Sequence, residues 1–376
     1  MNMQAKSGLE MGVGAYEGRG SEGQSRRRLQ PRVSIVILNW NGWSETVQCL
    51  RSLCSIKYDN YRIVIVDNAS ADGSVPKIRE YIESELRPLE IMELSENEIG
   101  LMCEREGTGR EFPQLPSNNE IILIRNSANH GFAGGNNVGI KFALKTLDPK
   151  YVLLLNNDTI VDKLFLEELS GVMEKNETIG SVQSLLLRPG GELIDSLGQE
   201  ILWTTVRDIE FGAIYAKNSL VDKVEIFGPC AAAALYRAAS LQEVGLFDES
   251  FFIIYEDVDL SWRLRLKGYF SFLVPSSIVY HNRGISGGRR NGAFLTSKYF
   301  GNRNWLLLVL RYYPLSVLFR EPRRLLSVFI RCLSSATKLR RVSEACQMFV
   351  QSLKMRRTIA RNPTLAKVQS QWIRDH

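Results

Sequence analysis

The sequence predicts an α/β fold in which a mostly parallel central sheet carries helices on both faces, followed by a basic helical extension. Three observations predict it. Short apolar runs without alternation recur at Val33–Leu38, Tyr61–Val66 and Tyr151–Leu155, too short for helices and suited to strands buried on both faces. Each run stops at a cluster of small polar residues, and helix-compatible stretches separate the runs, the rhythm of βαβ units. Charge is segregated: from Gly284 onward there are 18 Lys/Arg against three Asp/Glu, leaving the first 283 residues with 29 against 38.

In chain order, residues 1–30 are rich in Gly, Ser, Glu and Arg with no apolar core, and are expected to be disordered. No hydrophobic signal-peptide region is present in them. The first strand ends in Asn39-Trp40-Asn41-Gly42, and a helix follows over Ser44–Ser52 with Ser44 as its cap and Cys49 and Cys54 as packing residues. The second strand ends at Asp67-Asn68, and Val75–Glu85 is helical. Residues 86–119 are charged, hold Pro88, Pro113 and Pro116 and show no steady period, so they read as an insertion or mobile loop. A third strand spans Ile121–Arg125. The segment Asn126–Asn137, with Gly131, Gly134 and Gly135, reads as a glycine-rich turn before a helix at Val138–Leu147.

After the strand at 151, a helix is expected over Phe165–Met173, with Asp158 or Thr159 as its cap. Ile179–Leu187 is a further strand, and Gly190–Phe211 a strand-and-turn excursion. Glu225–Ala234 is extended and rich in small residues. An aromatic run from Phe247 ends at Glu256 and Asp257, Leu260–Lys267 continues as helix, and a last strand at Ser271–Val274 leads to Val279-Tyr280-His281.

A chain of 376 residues fits about two domains or one large one. Six scattered cysteines without a CxxC pair, and only three histidines, argue against a zinc cluster and suit a reducing compartment. The basic tail, Phe294–His376, is expected to be helical. Its longest apolar stretch, Trp305–Leu310, is far short of the ~20 residues a membrane span needs. Two readings stand for it: a helix lying on anionic lipid, or helices packed on the body with a solvated basic face. No nucleic-acid-binding module is present.

The polar strand ends carry the chemistry. A hard divalent cation takes carboxylate, amide and phosphate oxygens, so Asp158 suits a metal held against a diphosphate, and it equally suits a strand-to-helix turn. Asp67 can accept from an imide N–H or ribose hydroxyls, or shape an Asx turn. No GxGxxG follows the first strand, which counts against a dinucleotide-dependent oxidoreductase.

Six motifs stand in order between Pro31 and Arg303: Asn39-Trp40-Asn41-Gly42, Asp67 to Ser74, Asn129 to Asn137, Asn156-Asn157-Asp158, Tyr255 to Asp259, and His281. Together they resemble the inverting glycosyltransferases of family two with the GT-A fold, in particular the rhamnosyltransferase-like branch. The resemblance implies a catalytic domain over 31–290, between the 1–30 segment and a helical region over 291–376. It implies a nucleoside-diphosphate sugar donor, dTDP- or UDP-linked, with rhamnose as the first candidate sugar, and Mg²⁺ or Mn²⁺ as cofactor. Donor contacts would fall to Asn39, Asp67, Asn68, Gly131, Gly134, Asn137, Asn157 and Asp158. The metal would be held by Asp158 with His281, which can also be purely structural. The family's aspartate-rich metal triplet is here two Asn and one Asp, which lowers the charge of that site. Asp257 would be the general base with Glu256 in support, although either could simply cap the helix. The Asn282–Gly292 segment would close over the diphosphate. The implied acceptor is a glycan or lipid-linked saccharide, met in the cytoplasm or at the cytoplasmic face of a membrane. A non-catalytic nucleotide-sugar-binding scaffold is the competing reading, against which the intact Asp158 and Asp257 argue.

Overall fold

The computed structural model describes residues 30–86, 90–104, 120–216, 222–283 and 293–374. Residues 1–29, the 87–89 and 105–119 parts of the expected insertion, and 284–292 of the expected closing loop lie outside these ranges. From Pro31 onward the chain is one compact unit.

The first half builds the sheet. Strand β1 (Val33–Asn39) leads to helix α1 (Trp43–Leu53), β2 (Tyr61–Asp67) to α2 (Ser74–Glu85), and β3 (Glu90–Ser95) to α3 (Glu96–Glu104). Then come β4 (Glu120–Arg125), α4 (Gly131–Phe142), β5 (Tyr151–Asn156), the short β6 (Thr159–Val161) and α5 (Phe165–Met173). The second half adds β7 (Ile179–Leu187), β8 (Ile194–Ser196), β9 (Gln199–Leu202), β10 (Val206–Asp208), β11 (Val224–Ile226), β12 (Ala233–Arg237), α6 (Ala238–Val244), α7 (Glu256–Leu266) and β13 (Phe270–His281). The tail consists of α8 (Ala293–Tyr312), α9 (Val317–Arg320), α10 (Pro322–Lys338), α11 (Val342–Ile359), α12 (Leu365–Trp372) and β14 (Ile373–Arg374).

The main sheet runs β11-β13-β7-β12-β5-β1-β2-β4-β3, with β6 on β13 and β8 on β7. β1 pairs in parallel with β2 and β5, and β12 is antiparallel to β5 and β7. Alternation divides the buried strands between two cores. Ile35, Ile37, Ile63, Ile65 and Leu153 pack with Leu50 and Leu53 of α1, Ile78 of α2 and Leu166 of α5. Val36, Val64, Val66 and Leu154 pack with Ala133 and Ile140 of α4, Leu241 of α6 and Leu260 of α7. A strand lined with apolar residues on both faces can be buried only in such a sandwich.

Four local expectations are corrected. The segment read as an insertion contains β3 and α3. β3 is an edge strand of mostly half-buried residues, with Glu93 half-buried and Glu90 exposed, so its sequence lacks the apolar signature of its neighbours. Gly131–Asn137 is not a turn but the first two turns of α4. Its glycines let the helix lie directly on the sheet: a Cβ at Gly139 would stand 2.6 Å from Val36 Cγ1, and one at Gly135 2.5 Å from Leu38 Cδ1. Thr159 begins β6 rather than capping α5, whose approach is instead shaped by Asp162 Oδ1 accepting from Leu164 N–H. Ser44 lies inside α1 and bonds Glu45, and Cys54 stands exposed at the helix end.

The tail is helical and its first helix is core, not surface. Tyr299, Phe300, Trp305, Leu307 and Tyr312 of α8 pack with Trp262 of α7 and Phe227, and the rings of Trp262 and Tyr312 stack at 5.0 Å. β14 adds a parallel strand to β9. Among the described residues no helix is long and apolar enough to cross a membrane.

Candidate active site

The register of the sheet brings the polar strand ends into line. Asn39 pairs with Asp67 across β1–β2, and Leu38 with Asn156 across β1–β5. Asn39, fully buried, donates from Nδ2 to Asp67 Oδ1 at 2.7 Å and to Ser70 Oγ at 3.1 Å. Its Oδ1 accepts from Thr46 Oγ1 at 2.9 Å. Asn157 Nδ2 donates to Thr46 Oγ1 at 3.1 Å and to the Gly42 carbonyl at 3.2 Å. The approach is so close that a Cβ on Gly42 would stand 2.8 Å from Asn157 Nδ2. Asp67 Oδ2 accepts from Ser70 N–H at 3.0 Å. Beside Asp67 opens a cleft of about 560 Å³ lined by Ala69, Ser70, Arg79, Arg125 and Asn126.

Asn68 joins this edge to α4. Its Nδ2 donates to Asn129 Oδ1 and the Gly131 carbonyl, and its Oδ1 accepts from Asn126 and from His130 N–H. Two other expected donor residues take different places. Asn137 has its amide committed to Phe247 and Glu249, bracing α4 against that segment rather than opening to the cleft. Gly134 abuts His130, with 2.7 Å to a would-be Cβ.

A second group forms where β5, β13 and β8 meet. β6 pairs with the end of β13, His281 opposite Thr159, which puts His281 beside Asp158. Asp158 Oδ1 and His281 Nε2 are 3.2 Å apart, and His281 Nδ1 bonds Asp195 Oδ2 at 2.8 Å. All three are buried. Burial is the largest influence on His281 and disfavours its charge, but the two carboxylates outweigh it and push the imidazole up to about 9. The pair of acids thus calls for positive charge between them. Asp158 Oδ1 and His281 Nε2 are close enough together that both could serve one divalent cation. A carboxylate on the far ring nitrogen is the usual support of a metal-binding histidine. Among the described residues no group of three or more His, Cys, Asp or Glu gathers as a metal cluster, so any cation would take its remaining ligands from substrate and water. The residues present fit that arrangement.

The third group stands where the segment entering β12 meets the start of α7. Asn156 N–H bonds the Ala232 carbonyl at 2.9 Å, and one residue earlier Ala231 N–H donates to Asp257 Oδ2 at 3.2 Å. Asp158 and Asp257 therefore lie at one edge of the sheet. Arg283 spans the interval, with Nη1 on Asp208 at 2.8 Å, Nε 3.1 Å from Asp195 Oδ1, and Nη2 3.9 Å from Cys230 Sγ. Burial pushes Asp257 up to about 6; the Ala231 N–H opposes the shift and the charge of Asp208 adds to it. A helix start favours an ionised carboxylate through its free N–H groups, but at Asp257 desolvation outweighs them. Glu256 is buried, and burial together with the charge of Asp257 raises it well above the usual carboxylate range. Its Oε2 has no hydrogen-bond partner among the described residues. The neighbours therefore differ: a half-buried Asp257 at the edge and a buried Glu256 whose ionisation its surroundings disfavour.

Thr46, Asp195, Asp208 and Arg283 were not singled out from the sequence. Each is an isolated polar residue, and only the pairing of distant strands gathers them.

Residues 34–102 and 109–245 match the family model described as glycosyl transferase family 2. The chain is 27% identical over 195 residues to a low-salt glycan biosynthesis hexosyltransferase of Haloferax volcanii, covering 51% of this chain and 62% of that one. It is 41% identical over 63 residues to an N-acetylglucosaminyl-diphospho-decaprenol L-rhamnosyltransferase of Mycobacterium tuberculosis, covering 17% and 20%. Its fold is similar to a crystal structure of GalNAc-T7 with UDP, GalNAc and Mn²⁺, at a TM-score of 0.54 and 15% identity over 77% of this chain and 49% of that one. The chain spans less than two thirds of the length of each of these proteins.

Proposed function

The chain belongs to glycosyl transferase family 2, and on that footing we propose that it transfers a sugar, with inversion, from a nucleoside-diphosphate donor to a hydroxyl of a glycan or lipid-linked acceptor. The observation that carries this reading is the gathering of the Asn39–Asp67–Asn157 network, the Asp158–His281–Asp195 group and Asp257 along one sheet edge. Ligands of open α/β sheets bind at the carboxyl ends of strands.

Asp67 would receive the nucleoside in the cleft beside it, with Asn39 and Ser70 fixing its carboxylate. Asn68 would hold the neighbouring wall. Asp158 and His281 would hold a divalent cation, Mg²⁺ or Mn²⁺, against the diphosphate, oriented by Asp195. When bound, such a cation neutralises charge on the departing nucleoside diphosphate. Asp257, ionised above about 6, would take the proton of the acceptor hydroxyl as that oxygen attacks the anomeric carbon opposite the leaving group. Glu256, whose ionisation burial and the neighbouring charge disfavour, would serve Asp257 only as support. The likeness to a rhamnosyltransferase makes dTDP-rhamnose the first donor to test, with UDP-sugars next.

The catalytic region would extend over 31–290. The region 291–376 would also bring the enzyme to anionic lipid. Phe319, Leu326, Ile330, Val350 and Leu353 are exposed on α9, α10 and α11, and from Val317 to Ile359 there are ten Lys/Arg against two Glu. Apolar side chains with basic neighbours suit the surface of a bilayer, where each cation contributes ~1 kcal/mol.

The experiment is donor turnover by the full chain. Nucleoside diphosphate is released from dTDP-rhamnose or a UDP-sugar only with Mg²⁺ or Mn²⁺, and release is lost in Asp158→Ala. Metal-independent release unaffected by that substitution would exclude the reading.

A further inference from the structure

Helix α7, which carries Asp257, is entered through a run of disfavoured backbone. Phe252 has φ 64° and ψ −60°, the tip of a γ-turn closed by Ile253 N–H on the Phe251 carbonyl at 2.7 Å. Ile254 follows at φ 72° and Tyr255 at φ 72° and ψ 6°. Positive φ is uncommon for any residue with a side chain, exceptional for a β-branched one, and this kind of γ-turn is rare and strained. Three such residues within four positions persist only where their surroundings over-determine them.

The surroundings are two side chains of α8, both almost fully buried. Asn304 Nδ2 donates to the carbonyls of Phe251, Ile253 and Ile254 at 2.9, 2.8 and 2.7 Å. Arg303 bonds the carbonyls of Ser250 and Phe251, and its Nε donates to Asn304 Oδ1 at 2.9 Å, which turns the Asn304 amide so that its N–H groups face the loop. Glu344 of α11 holds Arg303 Nη1 at 2.6 Å. From the opposite side Ala133 N–H of α4 donates to the Phe252 carbonyl at 3.1 Å, and a Cβ on Gly131 would stand 2.4 Å from that oxygen. The Phe252 and Phe300 rings stack at 5.0 Å. The loop is thus held between α4 and the tail, and its next residues are Glu256 and Asp257.

We infer that Arg303 and Asn304 are positioning residues for Asp257: α8 holds the strained entry of α7 so that the carboxylate meets Ala231 N–H at the cleft edge. Ordinary packing would bury α8 without spending a buried amide and guanidinium on four consecutive-region carbonyls of one short loop. The tail is on this account part of the active site's framework, with Glu344 linking α11 to it. The inference rests on the role proposed above for Asp257.

The test compares the wild-type full chain with Asn304→Ala, Glu344→Gln and Asp257→Asn. Turnover of dTDP-rhamnose or UDP-glucose with Mn²⁺, whichever the wild type uses, is followed from pH 5 to 8, and dTDP and UDP binding is measured by calorimetry. Asn304→Ala is expected to lower kcat by about 10- to 100-fold per folded molecule while nucleotide Kd changes less than about threefold. Its acidic pH limb is expected to move upward, since the Ala231 N–H that favours the ionised carboxylate is misplaced. Glu344→Gln, at a partly exposed site, is expected to show the same two changes at several-fold size, and it decides the question if Asn304→Ala does not fold. Either variant that folds with wild-type kcat and an unmoved pH limb, whatever its melting temperature, overturns the clamp. Wild-type turnover by Asp257→Asn instead overturns the role of Asp257, and the clamp with it.

Discussion

Replacing Asp257 by Asn removes the proposed base without changing its size, and both its rate and its stability consequences can be worked out. The carboxylate rests half-buried on Ala231 N–H at 3.2 Å and Val258 N–H at 2.8 Å, and burial pushes it up to about 6. If only the ionised form accepts the acceptor's proton, wild-type kcat/KM rises about tenfold between pH 5 and pH 7 and levels off above it. Asp257→Asn should lower kcat by ~10²–10⁴-fold and flatten that limb. The stability effect has the opposite sign. The folded value lies above the unfolded 3.8, so between 3.8 and about 6 the native state binds more protons than the unfolded one, and stability falls as pH rises through that window. A shift of this size corresponds to at most about 3 kcal/mol, shared with Glu256. At pH 7.5 the Asn variant should therefore melt higher than wild type, and at pH 4 the difference should vanish. Initial rates across pH and calorimetric melting at both pH values check the two effects. A variant that keeps its rate, or one that loses both rate and stability at pH 7.5, would refute the assignment of a buried, reluctantly ionised base.

Asp195→Asn should raise the Mn²⁺ concentration for half-maximal turnover by about 10- to 100-fold, because His281 loses the carboxylate that orients it; a Mn²⁺ titration reads this directly. Arg311 lies buried between Asp248 and Asp259 at 2.8 and 2.9 Å, so Arg311→Met leaves two acids short of a partner and should cost roughly 3–5 kcal/mol, seen as a melting temperature lower by roughly 10 °C. Replacing Phe319, Leu326 and Ile330 together by Ser should reduce co-sedimentation with vesicles containing phosphatidylglycerol at least tenfold and leave turnover of soluble substrates unchanged. Equal sedimentation of the triple variant and wild type would remove the lipid surface from the account.

The central strands were legible because a parallel strand between two helical layers is apolar throughout, and Val33–Leu38, Tyr61–Val66 and Tyr151–Leu155 carry that mark. Their polar ends were legible for the same reason, as the points where burial stops. β3 was not, since an edge strand half in solvent keeps its charges. Nor was the start of α4, where three glycines counted against helix by propensity. Their value is contact with Leu38, His130 and Phe252, which only the folded neighbours define. In the tail, no local pattern sets Arg303 and Arg311 apart from the other basic residues. Both lie in the core, committed to acids and carbonyls far away in sequence. Asp195 and Arg283 carry no local pattern at all, and their partners are set by the pairing of β8, β7 and β13. Short-range pattern thus reported the scaffold and the strand ends, while long-range pairing fixed how the site is braced.

The most direct measurement is the anomeric configuration of the transferred sugar. The full chain is incubated with Mn²⁺, a nucleoside-diphosphate sugar that it turns over and a glycan acceptor, and the product is read by proton NMR. The account predicts a new glycosidic bond of configuration opposite to that of the donor, formed by wild type and not by Asp257→Asn. A product that retains the donor's configuration, or transfer that survives the loss of Asp257, would contradict it.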